Sequence, residues 1–176
     1  MVRQAGAALL LKAEALAREL HTGQMRKGTD LPYIVHPEAV ARLVEHYGGT
    51  PTMVAAAWLH DTVEDCGPDA LARVTEACGV HVAELVLEVT NPPERGDRVL
   101  HLAMASPAAA LVAACDKLHN MRSIISDGGR FERFKRGREI VIAYHTAVVP
   151  MLCWKIKNAA LEVELKAALV ELIKLP

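Results

Sequence analysis

An all-α domain is what the sequence predicts, and three observations predict it. Apolar residues recur at three- and four-residue spacing, as one face of a helix requires. Ala, Leu and Val dominate, aromatics make up only 4% and β-branched runs are brief, a composition that disfavours a sandwich or barrel. Prolines and glycines punctuate the chain where those apolar stretches begin and end. With 176 residues, 52% hydrophobic and 23% charged, the chain is long enough for one core and a single domain over 1–176.

Leu9, Leu10, Ala13, Leu16, Ala17 and Leu20 form the stripe of a first helix that ends near His21, with Gly23 beyond it. A polar loop over 23–35 carries Arg26, Lys27, Gly28 and Asp30. His36-Pro37 opens a second helix to about Tyr47, stopped by Gly48 and Gly49. Pro51 starts a third helix that the pattern extends unbroken to Cys66-Gly67. Helices over 68–78 and 80–90 follow, separated by Gly79, and Asn91-Pro92-Pro93 breaks the pattern. The stretch 94–105 is weakly defined and partly helical. Ser106 as a cap and Pro107 at the first turn open a helix to about Ser126, which Asp127-Gly128-Gly129 closes. A long helix disturbed at Pro150 is expected over 131–154, and a last one over 158–175, whose Leu161, Leu165, Leu169 and Leu172 read as core.

The net charge of −1, from 20 basic and 21 acidic residues, provides no global positive field. Nucleic acid is therefore not an expected partner, and an anionic ligand must be held by local groups. Cys66, Cys78, Cys115 and Cys153 form no CxxC pair and read as small buried hydrophobes. No apolar run reaches the ~18 residues that cross a bilayer. The apolar start at 5–11 passes at once into Lys12, Glu14, Arg18 and Glu19 on a helical period, unlike a signal segment. The expectation is a soluble, reduced, cytoplasmic protein without a membrane partner.

The third helix is apolar on every side from Met53 to Leu59, and then His60, Asp61, Glu64 and Asp65 arrive together. At about 100° per residue, His60, Glu64, Asp61 and Asp65 fall in that order within about 140° of arc. Such charges in a core need compensation, and acids near a helix C-terminus also oppose its dipole. A solvated helix end, with His60 as a cap, is the bland alternative. The helix after Ser106 is again apolar until Asp116, His119, Asn120 and Ser123 appear at i, i+3, i+4 and i+7. Two buried helices that each turn polar on one face are explained by a shared cation, with His36 entering from a third helix. His36, His60, Asp61 and Asp116 are thus the candidate metal ligands. Two neutral imidazoles and two carboxylates balance one divalent ion and leave room for a water and a substrate oxygen. Nitrogen and oxygen donors without thiolate suit Mn²⁺ or Fe²⁺, with Zn²⁺, Co²⁺ and Ni²⁺ also open.

These residues match the H…HD…D pattern of HD-domain phosphohydrolases. The strings GQMRKGTDLPYIVHP at 23–37, AAAWLHDTVED at 55–65 and CDKLHNMRSI at 115–124 resemble the hydrolase half of the RelA/SpoT family. The likeness covers about 21–126, with C-terminal helices over 131–175 after it. Without a following synthetase or regulatory region, it is similar to the stand-alone small alarmone hydrolases, including the metazoan type. The resemblance implies an all-helical fold with a metal site between buried helices. It also implies Mn²⁺-dependent removal of the 3′-pyrophosphate from guanosine tetra- or pentaphosphate, giving GDP or GTP plus pyrophosphate.

Position by position, the resemblance makes His36, His60, Asp61 and Asp116 metal ligands. It makes Glu64 and Asp65 the acidic pair that positions and deprotonates the attacking water. Arg26 and Lys27 match the pair that lies against the nucleotide, and Asn120 matches an asparagine near ribose and phosphate. A solvated basic loop and a structural hydrogen bond are the respective alternatives. His119 is read as hydrogen-bonded within the helix packing and Arg122 as structural, while Tyr33 either packs on a base or anchors its loop. Basic residues after Thr90 match only loosely, at Arg95 or Arg98. Phe131, Lys135 and Glu139 stand where an aromatic, an arginine and a tyrosine are usual. Two other functions stay open: the same metal site acting on the 2′-phosphate of NADPH or another nucleotide, and a non-catalytic helical module that binds a nucleotide or partner.

Overall fold

A helix that is apolar all round has to be enclosed by others, and two segments impose that on this chain. In the computed structural model, which describes residues 2–91, 97–133 and 137–176, they are α3 (Pro51–Leu59) and α8 (Pro107–Ser126). Val54 to Leu59 are all buried in α3, and α8 buries eleven of its residues, Asp116 among them. Around α3 pack α1 (Val2–Leu20), α2 (Val35–His46), α6 (Val80–Val89) and α8 itself. Around α8 pack α2, α6, α9 (Gly137–Ile156) and α10 (Ala159–Lys174). The short α4 (Thr62–Asp65), α5 (Ala70–Cys78) and α7 (Arg98–Met104) complete the all-α domain, and the described residues contain no strand.

Local chemistry sets the helix starts. Thr50 Oγ1 accepts the Met53 amide at 3.4 Å, Ser106 Oγ accepts that of Ala109 at 3.2 Å, and Asn158 Oδ1 accepts that of Leu161 at 3.1 Å. Pro51 and Pro107 follow two of these caps, where a missing N–H costs nothing. On α10, Leu161, Leu165 and Leu172 are fully buried and Leu169 packs partly against the core. The four cysteines are free; Cys115 and Cys153 are buried, whereas Cys66 and Cys78 are only half-buried.

Two expected helices are divided. The third stops at Leu59 and resumes at Thr62 as α4, because side chains take up backbone carbonyls at the junction: His60 Nδ1 lies 2.8 Å from Ala57 O, and Thr62 Oγ1 donates to Leu59 O at 2.7 Å. The helix expected from Phe131 begins only at Gly137. Phe131 is buried in a 3-10 turn over Phe131–Arg133, and Gly137 has φ +70°, outside the right-handed helical region. Pro92, Pro93, Arg95 and Lys135 lie outside the described residues. By length and composition α9 could cross a membrane; here it packs on α8 and α10 with His145, Val148, Val149, Leu152 and Cys153 buried.

Between α1 and α2 the polar loop is pinched by an antiparallel bridge from Met25 to Pro32. Arg26 N donates to Leu31 O at 2.8 Å and Tyr33 N to Gln24 O at 2.9 Å, while Gly28 takes φ +71° at the tip. The pinch sets Arg26 and Lys27 on the outgoing arm and returns Tyr33 beside α2.

Candidate metal centre and active site

Four side chains from three parts of the core converge. His36 comes from the first turn of α2, His60 and Asp61 from the junction of α3 and α4, and Asp116 from the middle of α8. His36 Nε2 is 3.4 Å from Asp61 Oδ2 and 3.2 Å from Asp116 Oδ1. His60 Nε2 is 3.1 Å and 3.8 Å from the same two oxygens. Donor atoms of His36, His60 and Asp116 all lie within 4.8 Å of one another, close enough to bind one ion. His36, His60 and Asp116 are buried, and Asp61 keeps 21% of its side chain exposed.

The donor chemistry fits a divalent cation. The His60 Nδ1 contact with Ala57 O requires a protonated Nδ1, so in the neutral ring Nε2 carries the lone pair and turns it to the cluster, where a cation can take it. That buried Nε2 has no hydrogen-bond partner of acceptable geometry. Burial opposes charge on all three groups, but the mutual contacts outweigh it. The carboxylates of Asp61 and Asp116 hold His60 well above the ordinary histidine range, the imidazoles of His60 and His36 hold Asp61 well below the carboxylate range, and Lys117 with the same imidazoles does so for Asp116. The cluster thus draws positive charge into a buried place, which a divalent ion supplies without protonating the imidazoles.

Each of the four is gripped from behind. Tyr33 Oη donates to Asp61 Oδ2 at 2.5 Å, and burial with the Asp61 charge keeps that phenol protonated far above its ordinary range. His119 Nδ1 lies 2.7 Å from His36 Nδ1, while burial, His36 and Arg26 push His119 down to about 4. A neutral His119 can accept at that nitrogen, and in that tautomer His36 carries its proton on Nδ1 and turns the Nε2 lone pair to the cluster. On Asp116, Lys117 Nζ donates to Oδ2 at 2.6 Å and Asn120 Nδ2 to Oδ1 at 2.5 Å. The Ala57 carbonyl holds His60.

Beside the cluster opens a cavity of about 540 Å³. Arg26, Lys27, Arg98 and Lys117 supply its positive lining, Asp65 and Asn120 belong to the wall, and Ile124, Ile140, Val141 and Tyr144 form an apolar part. Arg26 donates to Asn120 Oδ1 at 3.4 Å and lies 5.8 Å over the Tyr33 ring, so loop and α8 meet there. A divalent centre with an adjoining cationic cavity is equipped to bind a phosphorylated small molecule and polarise a phosphoryl oxygen.

The structure brings together His36, His60, Asp61 and Asp116, and it places Arg26, Lys27, Asn120 and Asp65 on the cavity wall. It does not give the shared arc expected for His60, Asp61, Glu64 and Asp65. The break after Leu59 turns Glu64 away, and its Oε1 accepts from the backbone N of Asn91 at 2.6 Å and also from Asn91 Nδ2. Asp65 is on the exposed rim, where partial burial and the Asp61 charge raise its carboxyl above the usual range. Tyr33 turns out to anchor a candidate ligand, a role that its place three residues before His36 allows but does not show. Lys117, one residue past Asp116, and His145 carried no sequence signal; Ser123, which lines the cavity, was already on the polar face of α8.

Comparison with known proteins agrees with this geometry. The family model described as "HD domain" matches residues 13–140. Guanosine-3′,5′-bis(diphosphate) 3′-pyrophosphohydrolase MESH1 of Homo sapiens is 41% identical over 127 residues, covering 67% of this chain and 70% of that protein. A probable guanosine-3′,5′-bis(diphosphate) 3′-pyrophosphohydrolase of Synechocystis is 36% identical over 128 residues, 66% of this chain, of which this chain spans only 17%. A solved structure described as a metazoan ortholog of SpoT that hydrolyzes ppGpp superposes with a TM-score of 0.79 at 28% identity, over 93% of this chain and 95% of that one. The lmo0812 protein of Listeria monocytogenes gives a TM-score of 0.69 at 25% identity, over 83% of this chain and 100% of that one. With core, site and relatives in accord, the chain belongs to the HD-domain family of hydrolases.

Proposed function

We propose that this chain is a guanosine-3′,5′-bis(diphosphate) 3′-pyrophosphohydrolase, releasing GDP or GTP and pyrophosphate, with His36, His60, Asp61 and Asp116 holding Mn²⁺. The observation that carries the reading is the meeting of those four side chains beside a cavity with a cationic wall. The hydrolases among its relatives support the reaction. A divalent ion there supplies Lewis acidity toward a phosphoryl oxygen and lowers the cost of deprotonating water.

The chain's own residues account for the rest. Arg26, Lys27, Arg98 and Lys117 are donors for phosphate oxygens, and the Arg26 guanidinium can also stack on a base. Asn120, tied to both Asp116 and Arg26, keeps loop and α8 in register around the substrate. When water attacks the 3′-linked phosphorus, its proton needs an acceptor, and the bond to the 3′-oxygen breaks with a proton gained there. Asp65 stands on the cavity wall with a raised carboxyl, which moves a base toward neutral pH and improves proton transfer. Glu64, its partner in the acidic pair, is held by Asn91 and reaches the water only by releasing that contact.

The test is to incubate metal-free protein, with and without Mn²⁺, against guanosine tetraphosphate, NADPH and simple nucleotides, following pyrophosphate and orthophosphate separately. Pyrophosphate from the alarmone, dependent on added metal, is the expected result. Orthophosphate from NADPH alone would move the same site to a 2′-phosphatase, and no product with any first-row metal would make the chain a binding module.

A further inference from the structure

Asp65 stands exposed at the end of α4, a helix of four residues whose last carbonyls its own N–H groups cannot reach. One of those carbonyls is taken from outside. Gln24, in the loop between α1 and α2, donates from Nε2 to Asp65 O at 3.3 Å and to Cys66 Sγ at 3.7 Å. A carbonyl only accepts, so this contact fixes which end of the Gln24 amide is nitrogen and turns Oε1 to His21, whose Nδ1 lies 2.7 Å away. His21 Nδ1 must then carry its proton and donate. The ring is buried just past the end of α1, with its centroid 4.8 Å from that of Tyr33.

The backbone of Gln24 belongs to the same joint. Its carbonyl accepts from Tyr33 N at 2.9 Å, and Tyr33 in turn holds Asp61. Arg26 and Lys27, two and three residues on, line the cavity wall together with Asp65, while Gln24 stands outside it. A base at the end of so short a helix loses rate when its carboxylate wanders, because proton transfer needs hydrogen-bond distance to the attacking water. We propose that Gln24 is a positioning residue for Asp65: its amide, held by buried His21, fixes the end of α4 against the loop that carries Arg26 and Lys27. This role rests on the hydrolase reading above and adds to it the residue that aims the base.

The experiment measures kcat and KM on guanosine tetraphosphate, and Mn²⁺ affinity by calorimetry, for Gln24→Met and Gln24→Glu, each alone and combined with Asp65→Asn. Gln24→Met keeps the side chain's length and removes both hydrogen bonds. Its kcat is expected to fall about tenfold or more, with KM within a few-fold and the Mn²⁺ Kd unchanged. Gln24→Glu keeps an oxygen for His21 but no N–H for the Asp65 carbonyl, so it should lose rate likewise. In Asp65→Asn protein either change should alter kcat less than about twofold, because the group it aims is already gone. A wild-type rate in either variant overturns the proposal, as does a loss of Mn²⁺ affinity in step with rate. An equal loss with and without the Asp65 carboxylate is the mark of a merely structural effect and overturns it too. Amide hydrogen exchange supplies a readout that needs no substrate. The Asp65 and Cys66 amides, bonded to Asp61 O and Thr62 O, should exchange about tenfold faster in Gln24→Met, and unchanged exchange overturns the proposal. A wild type that does not hydrolyse the alarmone, while exchange still responds, sinks only the hydrolase reading and leaves the Gln24 joint standing. Should Gln24→Met not fold, Gln24→Glu carries the comparison.

Discussion

Single residues divide here between those that would touch an ion and those that hold its ligands. Asp61→Ala is expected to remove metal and turnover together, because Asp61 lies within 3.4 Å of both imidazoles. Asp65→Asn should keep the metal and lose about 10²–10⁴-fold in kcat, as for loss of a general base. Metal content by elemental analysis beside steady-state rates checks both, and an Asp65→Asn enzyme that loses its metal would refute the division. Tyr33→Phe deletes only the hydroxyl on Asp61, so Mn²⁺ affinity should fall about 10–100-fold while the fold persists. An unchanged Kd by calorimetry would reduce Tyr33 to a loop anchor. The sequence shows Asp61 and Asp116 as charges out of place, since each interrupts an apolar helix. Tyr33 and Lys117 break no local pattern, and their roles follow from neighbours that sequence spacing does not supply.

Helices that locate the site were legible because their ends are written in local chemistry. Ser106-Pro107 and Asp127-Gly128 bound α8 where expected. The junction at His60 was not legible, because HDTVED continues a helical spacing and nothing in it announces a break. It depends on the Thr62 hydroxyl taking the Leu59 carbonyl inside the core, where Thr62 is fully buried. Thr62→Val keeps the shape and removes that bond, so stability should fall by about 1–3 kcal/mol, the cost of a buried carbonyl left unpaired. Urea unfolding measures it, and Mn²⁺ affinity should drop in parallel because Asp61 loses the turn that aims it. Equal stability and equal affinity would mean that packing alone breaks the helix.

Across the whole molecule, the charged cluster links folding to metal and to pH. In metal-free protein the raised His60 contributes stability that is fully present below its unfolded value of about 6.5 and is lost as pH rises through its folded value. Asp61 and Asp116, held low, contribute above about 3.9 and lose that contribution only as pH falls through their folded values. Metal-free protein should therefore lose stability as pH climbs above 6.5. Mn²⁺ requires unprotonated imidazole, so the rise in Tm on adding it after chelation should be larger at pH 8.5 than at pH 6. A gain independent of pH would show that the ion binds elsewhere. What the sequence determined by itself was the all-α class, the order of helices and the identity of the four converging residues, because periodicity, caps and misplaced charge are properties of short stretches. Only the tertiary structure decided which way Glu64 turns, how each ligand is gripped and what lines the cavity. Those depend on groups as far apart in the chain as Arg26 and Asn120, and on which buried atoms the packing leaves for one another.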